Sequence, residues 1–292
     1  MKYALFLGCT VPVRGTHYEL SARKVANRLG LEFVEIEDFS CCGFPVKATN
    51  AEIAFLLAAR NLSLAESKDI ETICTLCSSC TSTLTEAAKR IKEEYSTKER
   101  VNKQLSHLKR EVKGKTKIKH FARLIYEEIG LENIRKLIQR PLNSLKVAVH
   151  SGCHYLKPSE VFEHFDEPEI PRTLKELVEV TGTFLVEYPE EKNCCGGATM
   201  GIDEMTGLRI AKKKLDSVKE NKADALIVIC PFCDVMYEAN QKKIEQTFNE
   251  NYALPILYYP QLLGLALGIE PKELGFQFNT VKADSVLTKI GL

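Results

Sequence analysis

Short apolar runs recur along the chain, and each is followed by a longer stretch whose apolar residues fall at helical spacing. Residues 2–7 form the first run and end in Gly8-Cys9. So brief a run, closed by a turn residue, reads as a buried strand. Residues 18–29 repeat at helical spacing and stop at Gly30, as a helix end should. Residues 31–36 alternate as a second strand, and a weak third strand ends at Thr72-Ile73. Between them Ile53, Leu56, Leu57, Leu62 and Leu64 mark a helix over 50–67. Residues 81–113 are predicted helical and densely charged, with 89–99 a solvated face. Gly114 breaks that stretch; residues 118–120 give a fourth strand and 121–129 the next helix.

A connector over 134–145 contains Pro141, and the pattern then starts again. Two domains are expected, residues 1–143 and 144–292. Residues 146–150 read as a strand running into Gly152-Cys153, 183–188 as another, 225–229 as a strongly β-branched third and 254–259 as a fourth. Helices are expected within 168–181, over 203–219 with its lysines on one side, and over 261–267. The last twenty residues carry no pattern. Each half is thus four strand–helix units, which predicts an α/β fold of two pseudo-symmetric, doubly wound parallel sheets. In such sheets the functional edge lies at the carboxyl ends of the strands.

The cysteines make the repeat explicit. Cys41-Cys42-Gly43 returns as Cys194-Cys195-Gly196, and Cys77-Ser78-Ser79-Cys80 returns as Cys230-Pro231-Phe232-Cys233, all shifted by 153 positions. Cys9 and Cys153 precede the two sets, each just after a predicted strand. Thirty-one residues lie between Cys9 and Cys41 but forty between Cys153 and Cys194; the extra nine fall near 157–171, a predicted surface loop. Internal repetition of this kind sets the architecture. Ten thiols at repeated spacing point to metal or cluster ligation, with iron–sulfur, zinc and copper(I) all open to soft ligands. Five thiolates per half favour a multinuclear centre over a four-ligand zinc site. Cys74 lies outside the repeat and reads as a small buried thiol.

With 40 basic and 39 acidic residues the chain has no nucleic-acid footprint. No apolar run is long enough to span a bilayer and the N-terminus lacks the pattern of a signal peptide, so a cytoplasmic protein is expected. Eleven cysteines in that compartment should be reduced. His154 follows Cys153 directly and is the candidate proton donor. His150 lies inside a strand and should be packed, while Arg14, His17, Lys47 and Lys157 are expected at the solvated surface.

Two copies of C…CCG…CxxC over essentially the whole chain resemble the CCG-domain family, and within it the B subunits of the heterodisulfide reductases of methanogenic archaea. The resemblance implies two CCG domains, each with a noncubane [4Fe-4S] cluster. One would be held by Cys9, Cys41, Cys42, Cys77 and Cys80, the other by Cys153, Cys194, Cys195, Cys230 and Cys233. It implies reduction of the coenzyme M–coenzyme B disulfide to two thiols in the cleft between the repeats. Electrons would come from an iron–sulfur C subunit and a flavin-containing A subunit, with a hydrogenase or formate dehydrogenase upstream. Relatives that serve lactate-, succinate- or quinone-linked dehydrogenases imply an alternative, in which clusters relay electrons rather than react.

Overall fold

The computed structural model describes residues 2–292. The first half contains strands β1 (Lys2–Phe6), β2 (Glu32–Val34), β3 (Thr72–Thr75) and β4 (Lys117–His120). Its helices are α1 (Val11–Arg14), α2 (Thr16–Arg28), α3 (Ala51–Glu66), α4 (Ser78–Glu93), α5 (Tyr95–Leu105), α6 (Phe121–Leu124) and α7 (Leu131–Leu137). The second half contains β5 (Lys146–His150), β6 (Phe184–Leu185), β7 (Ala225–Val228) and β8 (Ile256–Tyr258). Its helices are α8 (Cys153–Leu156), α9 (Thr173–Glu179), α10 (Glu204–Glu220), α11 (Pro231–Asp234), α12 (Gln241–Phe248), α13 (Tyr259–Ala266) and α14 (Asp284–Lys289). The strands form two four-stranded sheets, ordered β2-β1-β3-β4 and β6-β5-β7-β8. Every pairing is parallel. The expected α/β class and repeated sheet are therefore found, with the same strand order twice.

Central strands are apolar on both faces. Ala225, Leu226, Ile227 and Val228 of β7 are all buried, as are Tyr3 to Phe6 of β1. Helices cover both faces of a parallel sheet, so such strands read as continuous apolar runs. Edge strands are shorter than the sequence pattern suggested: β2 keeps three residues and β6 only two. Each pairs on one side only, and the chain leaves it early to reach the paired-cysteine loop.

Three further expectations are corrected. The charged stretch 81–113 is two helices rather than one, divided at Glu94, whose backbone is extended (φ −111°, ψ 99°). Asn102 holds the returning chain by accepting from Val112 N at 2.9 Å and donating to Val112 O at 3.1 Å. The C-terminal residues are ordered: α14 docks with Val286 buried, and Ser144 Oγ donates to Lys289 O. Residues 157–171 are more than a loop on the surface, because Phe162 is buried and Arg123 of the first half lies 4.4 Å over the Phe165 ring. No helix of the described residues is long and apolar enough to cross a membrane.

Candidate functional site

Each cysteine is placed by a backbone feature that occurs twice. After β1 and β5 the chain turns through Gly8 (φ +67°) and Gly152 (φ +78°), conformations that favour glycine, and delivers Cys9 and Cys153. A Cβ on Gly8 would stand 2.9 Å from Cys80 Sγ, so this turn closes directly on a thiol. The paired cysteines precede Gly43 (φ +96°) and Gly196 (φ +83°). A Cβ on Gly43 would collide with Ala54 O, and one on Gly196 would lie 2.7 Å from Gly207 O. The loops therefore rest on the first turns of α3 and α10. Asn50 and Asp203 cap those helices by accepting from Ile53 N and Thr206 N, again 153 positions apart. Cys77 and Cys230 sit in extended conformation as the residues capping α4 and α11, with Cys80 and Cys233 one turn on. Of these four thiols only Cys230 is drawn down, by hydrogen bonds from Cys233 and Cys77, while Cys77, Cys80 and Cys233 are pushed up.

The thiols form two chains of contacts that meet. In the first half Cys42 interacts with Cys41 and Cys80, and Cys80 with Cys77, while Cys9 faces Cys41. In the second, Cys194 interacts with Cys153 and Cys195, Cys195 with Cys233, and Cys233 with Cys230. Cys77 and Cys230 then interact with each other across the two halves. All eleven cysteines are free. Hydrogen bonds from the Cys41 and Cys80 thiols draw Cys42 down to about 4, and those from Cys153 and Cys195 draw Cys194 down to about 2. Each adjacent pair thus keeps one thiolate, the form that ligates metal. Gly43 N, Gly196 N and Gly197 N each donate to a cysteine sulfur at 3.4 Å. Four thiolates on one zinc would lie about 3.8 Å from one another, from a zinc–sulfur bond of about 2.3 Å. Among the described residues no three thiols come within 4.8 Å of each other; only His17, Asp234 and Glu238 supply such a trio. Four of the first five cysteines, Cys9, Cys42, Cys77 and Cys80, instead line a common small cavity with Phe44 and Phe232. The spread of the thiols suits a multinuclear sulfur-bridged group better than one tetrahedral ion. Cys74 lies apart, fully buried in β3, its thiol pushed up by burial alone.

An open cleft of about 910 Å³ borders the second pocket. Cys153 and His154 line it from one half, Lys47, Ser82 and Glu86 from the other. The extra residues of the second repeat build its far wall with Lys157 and Glu169. His154 is half-buried, with its ring 4.9 Å from Phe44 in an edge arrangement. Burial holds its imidazole below the usual value, against the pull of the Cys230 and Cys194 sulfurs. Lys47 and Lys157 are exposed as expected, and pair with Glu86 and Glu169.

The sequence profile of the CCG family, a cysteine-rich domain, matches residues 3–85 and again 147–238. Over 294 residues the chain is 34% identical to the B subunit of the ferredoxin:CoB-CoM heterodisulfide reductase of Methanosarcina mazei, covering 99% of this chain and 97% of that one. The chain belongs to the CCG family of heterodisulfide reductase B subunits. The family is wider than that activity: 28% identity over 99% of both chains links it to the 8-methylmenaquinol:fumarate reductase membrane anchor subunit of Wolinella succinogenes. A hypothetical protein from Helicobacter pylori shares the fold, with a TM-score of 0.80 at 15% identity over 96% of this chain and 52% of that one.

In this CCG chain the two halves grip each other behind the sulfurs. Ile229 O, the carbonyl preceding Cys230, accepts from Tyr18 Oη at 2.9 Å and lies 3.0 Å from His120 Nε2. Burial pushes His120 down to about 4, so it is neutral; Nδ1 accepts from Ala122 N and Nε2 is left to donate. Tyr18 stacks on Tyr258 at 3.9 Å. His17 is corrected from surface to core: it is buried, 3.9 Å from Asp234 and 3.8 Å from Glu238. The reason is that α2 packs along α13, which leaves no solvent on that face. The lysines of α10 are corrected too. Lys212, Lys213 and Lys214 are consecutive, and each helical step turns about 100° (3.6 residues per turn), so they cannot share a side. Lys213 is exposed, whereas Lys214 is 1% exposed. Its ammonium donates to Glu191 O at 2.9 Å and Asn193 O at 2.7 Å, and lies 2.8 Å from His150 Nδ1. Burial lowers Lys214 to about 8, against the Cys233, Cys195 and Cys194 sulfurs, which hold it up. Burial and then Lys214 push the packed His150 down to about 3.

Proposed function

We propose that the chain is the catalytic iron–sulfur subunit that reduces the coenzyme M–coenzyme B disulfide to its two thiols. Cys9, Cys41, Cys42, Cys77 and Cys80 hold one noncubane [4Fe-4S] cluster, and Cys153, Cys194, Cys195, Cys230 and Cys233 hold a second. The observation that carries this reading is the meeting of two like thiol sets behind one cleft, where a Cβ on Gly152 would lie 3.7 Å from Cys233 Sγ of its own half and 3.6 Å from Ser78 Oγ in the CxxC of the other. When bound, the clusters supply two electrons, one at a time, and the disulfide takes up two protons as its sulfur–sulfur bond breaks. His154 stands beside Cys153 on the cleft wall, where its imidazole can take up a proton from solvent and pass it to a product sulfur. Phe44 and Phe232 limit water around the first pocket. An anionic substrate would draw Lys47 and Lys157 away from Glu86 and Glu169. Electrons reach the chain from an iron–sulfur C subunit and a flavin-containing A subunit; the naming of the Methanosarcina relative as a subunit supports such partners. A cytoplasmic location goes with this reading.

The test is disulfide reduction by anaerobically purified chain with a reduced viologen dye. The wild-type chain should release two thiols per disulfide, and Cys195→Ala should release none. A fully active Cys195→Ala chain would end the proposal. The Wolinella relative favours a second reading, an electron relay in a quinol-linked reductase. Under it the chain takes electrons from a quinol donor and leaves the heterodisulfide untouched.

A further inference from the structure

The two halves stay in register at an offset of 153 through the cysteine loops and the helices after them, and on α3 and α10 a buried pair against the paired-cysteine loop differs in charge. Asn61 of α3 corresponds to Lys214 of α10. Both are buried and both hold the backbone of their paired-cysteine loop. Asn61 accepts from Ser40 N at 3.0 Å and donates to Cys41 O at 3.0 Å. Lys214 donates to the carbonyl of Asn193, the residue before Cys194, and to that of Glu191. The neighbouring pair, Arg60 and Lys213, is cationic in both halves and reaches solvent. Of the two adjacent lysines, only the buried Lys214 lacks a cationic counterpart in the first half.

Three polar atoms surround Lys214 Nζ: Glu191 O, Asn193 O and His150 Nδ1. The two carbonyls can only accept, and an ammonium has a third N–H to give to the imidazole nitrogen. The Tyr188 and Tyr237 rings stand 5.8 and 6.0 Å from it and keep water away. Among the described residues no carboxylate pairs with it: the near acids, Glu190 and Glu191, bond through their side chains to Lys213 and Lys175. The second half carries two more acids, Asp234 and Glu238, where the first has Thr81 and Thr85. They turn to His17 and Asn279, on the α2–α13 side of the CxxC helix.

We propose that Lys214 is a fixed positive charge that tunes the second pocket toward accepting electrons, and so distinguishes it from the first. Reduction adds one negative charge to a sulfur-ligated group, and a buried cation at the edge of that pocket stabilises the added charge with little screening. No bond is made or broken; the lysine shifts only the reduction equilibrium. The inference rests on the proposed iron–sulfur occupancy.

The experiment is a redox titration of the iron-loaded chain followed by electron paramagnetic resonance, on wild type, Lys214→Gln and Lys214→Arg. Glutamine keeps two donors for the two carbonyls and removes the charge; arginine keeps the charge. Lys214→Gln should move one of the cluster transitions to lower potential. The reduced-to-oxidised ratio at a fixed potential should fall at least tenfold, about 59 mV for a one-electron couple. Lys214→Arg should leave it near wild type, and iron content should be equal in all three. Unaltered potentials in Lys214→Gln, or equal shifts in both variants, would overturn the inference while leaving the proposed function standing. A chain isolated with zinc, or without inorganic sulfide, would end both.

Discussion

At the scale of single residues, the site depends on a few side chains that bring chemistry the sulfurs lack. His154 is the one imidazole on the cleft wall among the described residues. Replacing it with glutamine keeps polarity and volume but removes the transferable proton. Turnover should fall by about a hundredfold or more, the usual contribution of a positioned acid, with little change in KM. Steady-state kinetics of His154→Gln with the disulfide and a viologen donor checks this; an unchanged kcat would remove His154 from the chemistry. The burial of His150 and the place of His154 beside Cys153 could be read from sequence, because the strand and the chain neighbour fix them. Lys214 could not, since a run of three lysines looks like solvated surface and only the register of the repeat sets the third against Asn61. His17 was missed for a similar reason: its burial depends on α13, which lies about 240 positions away.

At the scale of elements, two glycine turns separate close packing from mere conformation. Gly43 and Gly30 both have positive φ, but a Cβ meets Ala54 O at Gly43 and nothing within 4 Å at Gly30. Gly30→Ala should cost about 1–2 kcal/mol for the left-handed backbone alone. Gly43→Ala should cost about 2–4 kcal/mol, since a steric clash is added, and should also disturb the cysteine loop. Urea unfolding midpoints of the two variants give the comparison; equal losses would contradict it. The helix after the second CxxC makes a different prediction. Burial, reinforced by Asp234, raises the Glu238 carboxyl from its ordinary 4.5 to about 7. The folded chain then binds that proton more tightly than the unfolded chain. Its stabilising contribution is full below about pH 4.5 and is lost as the pH rises through about 7, a total of about 3 kcal/mol. Glu238→Gln should keep the bond from Asn279 Nδ2 and remove this slope. Between pH 5.5 and 8 the wild type should therefore lose stability that the variant retains. Thermal midpoints at the two pH values test it, and parallel slopes would contradict it. The succession of parallel strands along the chain was legible because apolar runs of four or five residues stand between turn residues. The lengths of β2 and β6 were not: an edge strand ends where its single neighbour and the following loop dictate, and neither is written in its own residues.

At the scale of the whole molecule, the repeat builds a pair of sites rather than two separate ones. The sheets present their carboxyl ends to a shared seam, where Tyr18 and His120 of one half hold the carbonyl before Cys230 of the other. That arrangement sets Cys77 against Cys230 and leaves the cleft beside Cys153 and His154 bounded by both halves. Two pockets joined in this way suit a reaction that needs two single electrons at one bond. The most direct test is the electron paramagnetic resonance spectrum of the anaerobic, oxidised chain recorded with and without coenzyme M. The account predicts a paramagnetic signal that appears only when the thiol is added. A signal indifferent to the thiol, or none from a chain that contains zinc in place of iron, would contradict it.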